Sequence, residues 1–366
     1  MNMRKAVIFF GTLFILFVLS ACGKGQATGN ANEPTTDPAP KVEAKSTTSD
    51  KPLIVYTNSN SDGKAEWIVE EGKKAGFNIE IVGAGGGDIT NRLISEKANP
   101  VADVVFGLNH MFFEQLKAED VLIPFAPNWA EEIEAGINDE ADYYHGLVKQ
   151  ALILSYNPEF VEKADVPDSY LELANNEKFK GIFQARDDLG SATAKVIIAS
   201  IIAQFEDPNG ELGISAKGWE TVERFYKNGV QIPEGEDFFS MFASGDAPIG
   251  TMISGNLAVN QEQYGTEAVF IHPEVGTPLV VESVGIVKGT KQEEVAQKFV
   301  DWFGSAETQG AFAEKFNAMP VNKGALDKAS DFQRQIFDSV VPQDINWSFV
   351  TENIDDWVEK LELEIF

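Results

Sequence analysis

The chain has one cysteine in 366 residues, Cys22, so no internal disulfide can form and no cysteine-rich metal cluster can assemble. Histidine is nearly as scarce: His110, His145 and His272 are scattered, with no His-Glu-x-x-His pattern. A Gly-x-Ser-x-Gly elbow is missing as well, which leaves a secreted hydrolase as a minor alternative. Basic residues are in short supply, 29 Lys and Arg against 57 Asp and Glu, for a formal charge of -28. Such an excess disfavours nucleic acid and anionic lipid as electrostatic partners, and by itself it identifies no ligand. There is no Walker lysine-serine pair. The run Gly83-Ala84-Gly85-Gly86-Gly87-Asp88 fails the G-x-G-x-x-G pattern at its last position, which argues against a dinucleotide. Beyond the first residues there is no long apolar run that could span a membrane.

The one apolar run that exists stands at the start. Arg4 and Lys5 precede Ala6 to Leu19, a stretch too short for a span, which needs roughly 20 residues. Small residues close it at Leu19-Ser20-Ala21, the order of a secretory signal. Cys22 follows directly, and the junction resembles the bacterial lipobox. That resemblance implies removal of residues 1–21 and lipidation of Cys22, hence an anchor on the extracytoplasmic face of the cell membrane. Loss of Arg4 and Lys5 moves the formal charge from -28 to -30. Residues 22–50 are rich in Gly, Ala, Pro, Thr and Asn and lack aromatics, so they read as a disordered tether with a reach on the order of 30 Å.

From Lys51 onward, strand patterns alternate with amphipathic helices, which predicts an α/β protein with mainly parallel sheets. Strands are expected at Leu53–Tyr56, Phe77–Val82 and Val101–Phe106, with helices between them. Asp88 is placed to cap the second helix, and Gly107 to stop the third strand. Ligands of such sheets bind beyond the carboxyl ends of the strands. The loops holding Asn58, Ser59 and Asn60, then Gly87 and Asp88, then Asn109 and His110 should therefore share one crevice wall.

The run Ala102-Asp103-Val104-Val105-Phe106-Gly107-Leu108-Asn109, with Asn91-Arg92-Leu93 before it, resembles bacterial extracellular solute-binding proteins of ABC importers, in the branch that binds ferric iron, thiamine, phosphonates or sugar phosphates. Leu152–Asn157, Lys178–Gln184, Asp187-Asp188-Leu189-Gly190-Ser191-Ala192-Thr193, Gly245–Gly250, Gly285–Gly289 and Met319–Asn322 continue the likeness in order. It implies a two-lobe periplasmic-binding-protein-like fold, with the ligand in the interlobe cleft and hinge strands crossing between lobes. Lobe 1 would take residues 51–146 and 270–305, and lobe 2 residues 147–269 and 306–366. Leu152–Tyr156 and Val280–Val287 are the expected hinge strands. The partners implied are a small-molecule ligand, a permease and its ATPase; no cofactor, resident metal or nucleic acid is expected.

The second lobe offers Ser191 and Thr193 at the start of an apolar helix, where an anion is stabilised. Ser254 and Asn256 follow a strand, and Asp187 lies in the loop before Ser191. Glu282 and Ser283 sit in the second hinge strand, where alternation turns one of them toward the cleft. Acids dominate the wider set, with Asp62, Asp88, Asp187, Asp188, Glu236, Asp237 and Glu282 against Arg186 and Lys288, so a ligand bearing an amine or azolium is favoured, thiamine-like or aminoalkylphosphonate-like. Ferric iron is the alternative. The iron-binding relatives place adjacent tyrosines where this chain has Ser254-Gly255-Asn256-Leu257, while Tyr143-Tyr144-His145 offers hard ligands elsewhere. Phe238 and Phe239 are candidates for an aromatic cleft wall. The tryptophan of thiamine binders has no counterpart after Val230.

Overall fold

The computed structural model describes residues 51–232 and 237–365. The signal, Cys22, the tether and Glu236 lie outside the described residues. The chain opens with β1 (Leu53–Thr57), α1 (Lys64–Lys74), β2 (Ile79–Gly83), α2 (Gly86–Glu96), β3 (Val104–Asn109), α3 (His110–Ala118), β4 (Leu122–Ile123) and β5 (His145–Tyr156). Its middle holds α4 (Tyr170–Asn175), α5 (Ala192–Ile202), β6 (Glu206–Glu211), α6 (Ala216–Asn228), α7 (Phe238–Ser244), β7 (Ile249–Ile253), α8 (Ser254–Tyr264) and β8 (Val269–Phe270). It ends with β9 (Leu279–Val287), α9 (Glu293–Phe303), α10 (Ala306–Phe316), β10 (Met319–Pro320), α11 (Asp331–Ser339) and α12 (Trp347–Ile365).

Among the described residues, parallel pairing is confined to β1 with β2 and β3, plus isolated bridges at Phe183–Ile249, Gln184–Val230 and Thr277–Pro342. The other named ladders run antiparallel, contrary to the mainly parallel expectation. The reason is connectivity. Parallel neighbours need a crossover helix, which α1 and α2 supply, whereas the long strands β5 and β9 pair directly with each other. Residues His145–Ala151 of β5 pair with β9, and Leu152–Tyr156 pair with β7. One strand thus serves two sheets, and it includes the expected hinge segment.

Alternation along the strands sends side chains into separate cores. Leu53 and Val55 of β1 join Val104, Phe106, Val284 and Phe299, while Tyr56 and Val105 face Leu108, Phe112 and Phe113 on the other side of the sheet. Around the second half of β5, Leu152 and Leu154 pack with α5, α6 and α12, and Ala151 and Ile153 pack with Phe239, Phe242 and Leu257. The lobe limits differ from those read in the sequence. Phe312, Phe316 and Val321 pack in the first core rather than the second, and Phe270 and Val280 pack in the second.

Two local expectations are also corrected. β3 starts three residues later than expected and runs on to Asn109, with a ladder irregularity between Phe106 and Asn109. Helix α2 begins at Gly86 with Gly85 as its cap, so Asp88 lies in the first turn without capping it.

Candidate functional site

Where the two cores face each other lies a cavity of about 180 Å³. The loop after β1 supplies Asn58, Ser59 and Ser61, α1 gives Lys64, and the end of β3 gives Gly107 and Asn109. From the opposite side come Thr193 on α5 and Asn256 on α8. The crossing strands β5 and β9 form the floor with Gln150, Leu152, Val280 and Glu282. Six of the residues read from the sequence therefore converge: Asn58, Ser59, Asn109, Thr193, Asn256 and Glu282.

The remaining expected residues sit elsewhere, each for a visible reason. Asn60 is exposed and lies over Gly83, where a Cβ would overlap its amide. Gly87 lies in the first turn of α2 and does not line the cavity; a Cβ there would come within 2.8 Å of the Gly190 carbonyl oxygen. Asp88 and Asp187 are exposed. His110 turns its ring edge-on to Trp347, centroids 4.6 Å apart, and its buried Nε2 has no partner. The Ser191 hydroxyl accepts from the Ala194 amide at 3.2 Å and caps α5. Ser254 is fully buried; its Oγ accepts from the Ala151 amide at 3.1 Å and donates to Gln150 Oε1 at 3.0 Å. Ser283 is buried on the other face of β9, its Oγ unpartnered, because neighbours in a strand point in opposite directions.

The acid-rich cleft also needs correction. Asp62 takes the Ser61 hydroxyl, Asp188 pairs with Arg186 at 2.9 Å, and Asp237 caps α7 through the Phe239 and Ser240 amides. Lys288 pairs with Asp120 at 2.6 Å. Among the described residues, Glu282 is the one carboxylate lining the cavity, and Lys64 is the one cation. Burial pushes the Glu282 carboxyl above its ordinary range. The Lys64 charge and hydrogen bonds from Gln150 and Ser59 pull the other way. The Gln150 amide donates to Glu282 Oε1 at 2.8 Å. Asn58 adds a buried Oδ1 without a partner on the same wall. Lys64 and Gln150 were not among the expected residues: one opens a helix that reads as a solvated face, and the other lies within an apolar strand.

Residues 66–336 match the family model described as bacterial extracellular solute-binding protein. The chain belongs to that family. A Sinorhizobium fredii protein named as a probable ABC transporter periplasmic-binding protein, y4fP, is 33% identical over 316 residues, covering 86% of each chain. A Salmonella typhimurium relative whose name proposes 2-aminoethylphosphonate binding is 26% identical, over 68% of this chain and 71% of its own. The fold matches that of a ferric binding protein from Campylobacter jejuni, with TM-score 0.72 and 22% identity, over 86% of this chain and 99% of that one.

Tyr143, Tyr144 and His145 do not line the cavity of this solute-binding protein. Burial, with the hydrogen bond that the Tyr144 hydroxyl donates to Glu114 at 2.7 Å, pushes the phenol pKa upward, and the ring stacks on Phe113. His145 Nε2 meets the Phe125 carbonyl at 2.7 Å, and burial holds its pKa below the ordinary value. Among the described residues no group of three or more His, Cys, Asp or Glu is placed to hold a metal. The expected aromatic wall is absent from the cavity too. Phe239 is buried in the second core, and Phe238 lies beneath the Arg186 guanidinium, 5.7 Å away. Among the described residues no helix is long and apolar enough to cross a membrane.

Proposed function

We propose that this solute-binding protein captures a small organic solute carrying a protonated amine and an anionic group, and presents it to the permease and ATPase of an ABC importer. The observation that carries the reading is the presence of one carboxylate, Glu282, and one ammonium, Lys64, on the wall of the same cavity. Glu282 and the free Asn58 Oδ1 are acceptors suited to ligand N–H groups. Lys64 is a point charge suited to a phosphonate or phosphate, and Thr193 in the first turn of α5 adds the positive end of a helix. The relative named for 2-aminoethylphosphonate supports that ligand class.

Thiamine has less support, because the described lining offers no aromatic ring to stack on it. Ferric iron has less support as well, because the lining offers one carboxylate and no phenol. Capture by lobe closure needs no chemical step. Contacts made from both lobes exist only in the closed form, so ligand shifts the population toward it. Lipid attachment at Cys22 would keep the receptor beside its permease.

The test is a thermal-shift screen of the protein against 2-aminoethylphosphonate, thiamine and its phosphates, sugar phosphates and ferric citrate. A ligand at one hundred times its Kd stabilises the folded state by about 2.7 kcal/mol. Stabilisation by the aminophosphonate, with Glu282→Gln and Asn256→Ala each weakening its Kd by about tenfold or more, is the expected outcome. A response to ferric citrate alone refutes the reading.

A further inference from the structure

Gln150 stands where β5 leaves one sheet for the other, since Ala151 still pairs with β9 and Leu152 pairs with β7. Its side-chain carbonyl accepts from the Ser254 hydroxyl at 3.0 Å and from the Gly255 amide at 3.0 Å. Its amide nitrogen donates to Glu282 Oε1 at 2.8 Å.

One backbone amide fixes the direction of this chain, and a second is consistent with it. The Gly255 N–H can only donate, so an acceptor must face it, and the acceptor end of Gln150 is its carbonyl. The Ala151 N–H donates to Ser254 Oγ at 3.1 Å, so the proton of Ser254 is free to go to Gln150. A flipped amide would set donor against donor at Gly255 and take from the Ser254 proton its present acceptor. The Ser254 carbonyl is held in turn by Gln333 at 2.7 Å, and Gln333 is fully buried. Gly255 leaves no slack, because a Cβ there would stand 2.9 Å from both Nε2 and Oε1 of Gln150. Gln150 therefore shows Glu282 a donor, and Glu282 must present a lone pair in that direction.

We propose that Gln150 is a positioning residue that sets the charge preference of the cavity: by offering Glu282 only a donor, it favours carboxylate over carboxylic acid and keeps an acceptor for ligand N–H groups. This rests on the reading that Glu282 meets the amine of the ligand. The groups facing Glu282 are Gln150 from β5, Ser59 from the loop after β1 and Lys64 from α1, and all three favour the charged form against burial. Asn109, its ladder partner on β3, and Asn256 on α8 add no charge.

The test begins without ligand. Glutamate carboxyl carbons of the mature chain are labelled with 13C, and the Glu282 resonance is identified by its loss in Glu282→Gln. Its titration midpoint is expected to rise by about one pH unit in Gln150→Leu, the tenfold change for losing one donor to a charged acceptor. Gly255→Ala, which keeps Gln150 but displaces its amide, moves the midpoint the same way and decides the matter if the leucine variant does not fold. An unchanged or lower midpoint in a folded variant overturns the proposal. The second arm uses 2-aminoethylphosphonate as the probe. Its affinity for the wild type should fall as pH drops through the Glu282 midpoint, and for Gln150→Leu the fall should come at higher pH. A wild type that ignores this probe refutes the amine reading, while the ligand-free titration still decides on Gln150.

Discussion

Burial governs the acid behaviour of His110, and the consequence is measurable. With its ring against Trp347 and no partner for Nε2, desolvation lowers its pKa to about 4. In the unfolded chain it titrates near its ordinary value, about 6.5. Between these values the unfolded state binds the extra proton, so stability is full above about pH 6.5 and is lost as pH falls toward 4. The difference is about 3 kcal/mol. Urea unfolding at pH 7 and pH 4.5 should show His110→Asn losing much less stability on acidification than the wild type; equal losses would refute this account. That His110 lies between elements was not legible in the sequence, because Trp347 is far away along the chain. Alternation did bring one of Glu282 and Ser283 to the cavity. Which one depended on the register of β9 against Asn109 and Val148, a long-range fact.

At the scale of elements, glycine misleads in one place for an instructive reason. Gly107 reads as a strand breaker, yet β3 continues through it with every residue from Val104 to Asn109 buried. Its φ of 89° places it in the left-handed region, and a Cβ there would meet Asn58, Ser59 and Thr57 side chains within 2.9 Å. The irregularity admits the loop that carries the cavity residues Asn58, Ser59 and Ser61. Helix starts carry local signals and were read unevenly, since Asp88 does not cap α2. Ser191, read from the sequence as a ligand residue at a helix start, caps α5. Ser191→Ala is therefore expected to lower stability by about 1 kcal/mol in chemical unfolding while leaving ligand affinity within about twofold, since the hydroxyl serves the helix. A large loss of affinity at unchanged stability would return Ser191 to the binding residues. The two-sheet role of β5 was only partly legible. The apolar run Ala151–Leu154 shows burial on both faces, and it does not show with which neighbours the strand pairs.

For the whole molecule, the question is what holds the lobes together around the cavity. Helix α12 packs in the second core through Val350, Ile354 and Trp357, and it also touches α3 of the first. Asp355 accepts from Gln115 of α3 at 3.0 Å and pairs with Lys195 of α5. Lys195 lies 5.0 Å from the Phe112 ring, and Trp347 covers His110. These contacts join groups of different lobes without lining the cavity, so under the proposed capture by lobe closure they would hold the closed arrangement. A ligand that needs the closed form binds with an affinity reduced by the fraction of molecules that are open. Trp347→Ala removes an edge-on aromatic contact of about 1 kcal/mol and opens His110 to water. Its expected effect is a several-fold weaker Kd, a larger radius of gyration for the unliganded protein in X-ray scattering, and a His110 pKa that rises from about 4 toward the ordinary value. Protonation of His110 then favours the open form, because only there is the imidazolium solvated. Wild-type affinity should accordingly fall below about pH 5 more steeply than that of His110→Asn. If Trp347→Ala binds as tightly as the wild type with the same scattering profile, closure is held by the cavity contacts alone.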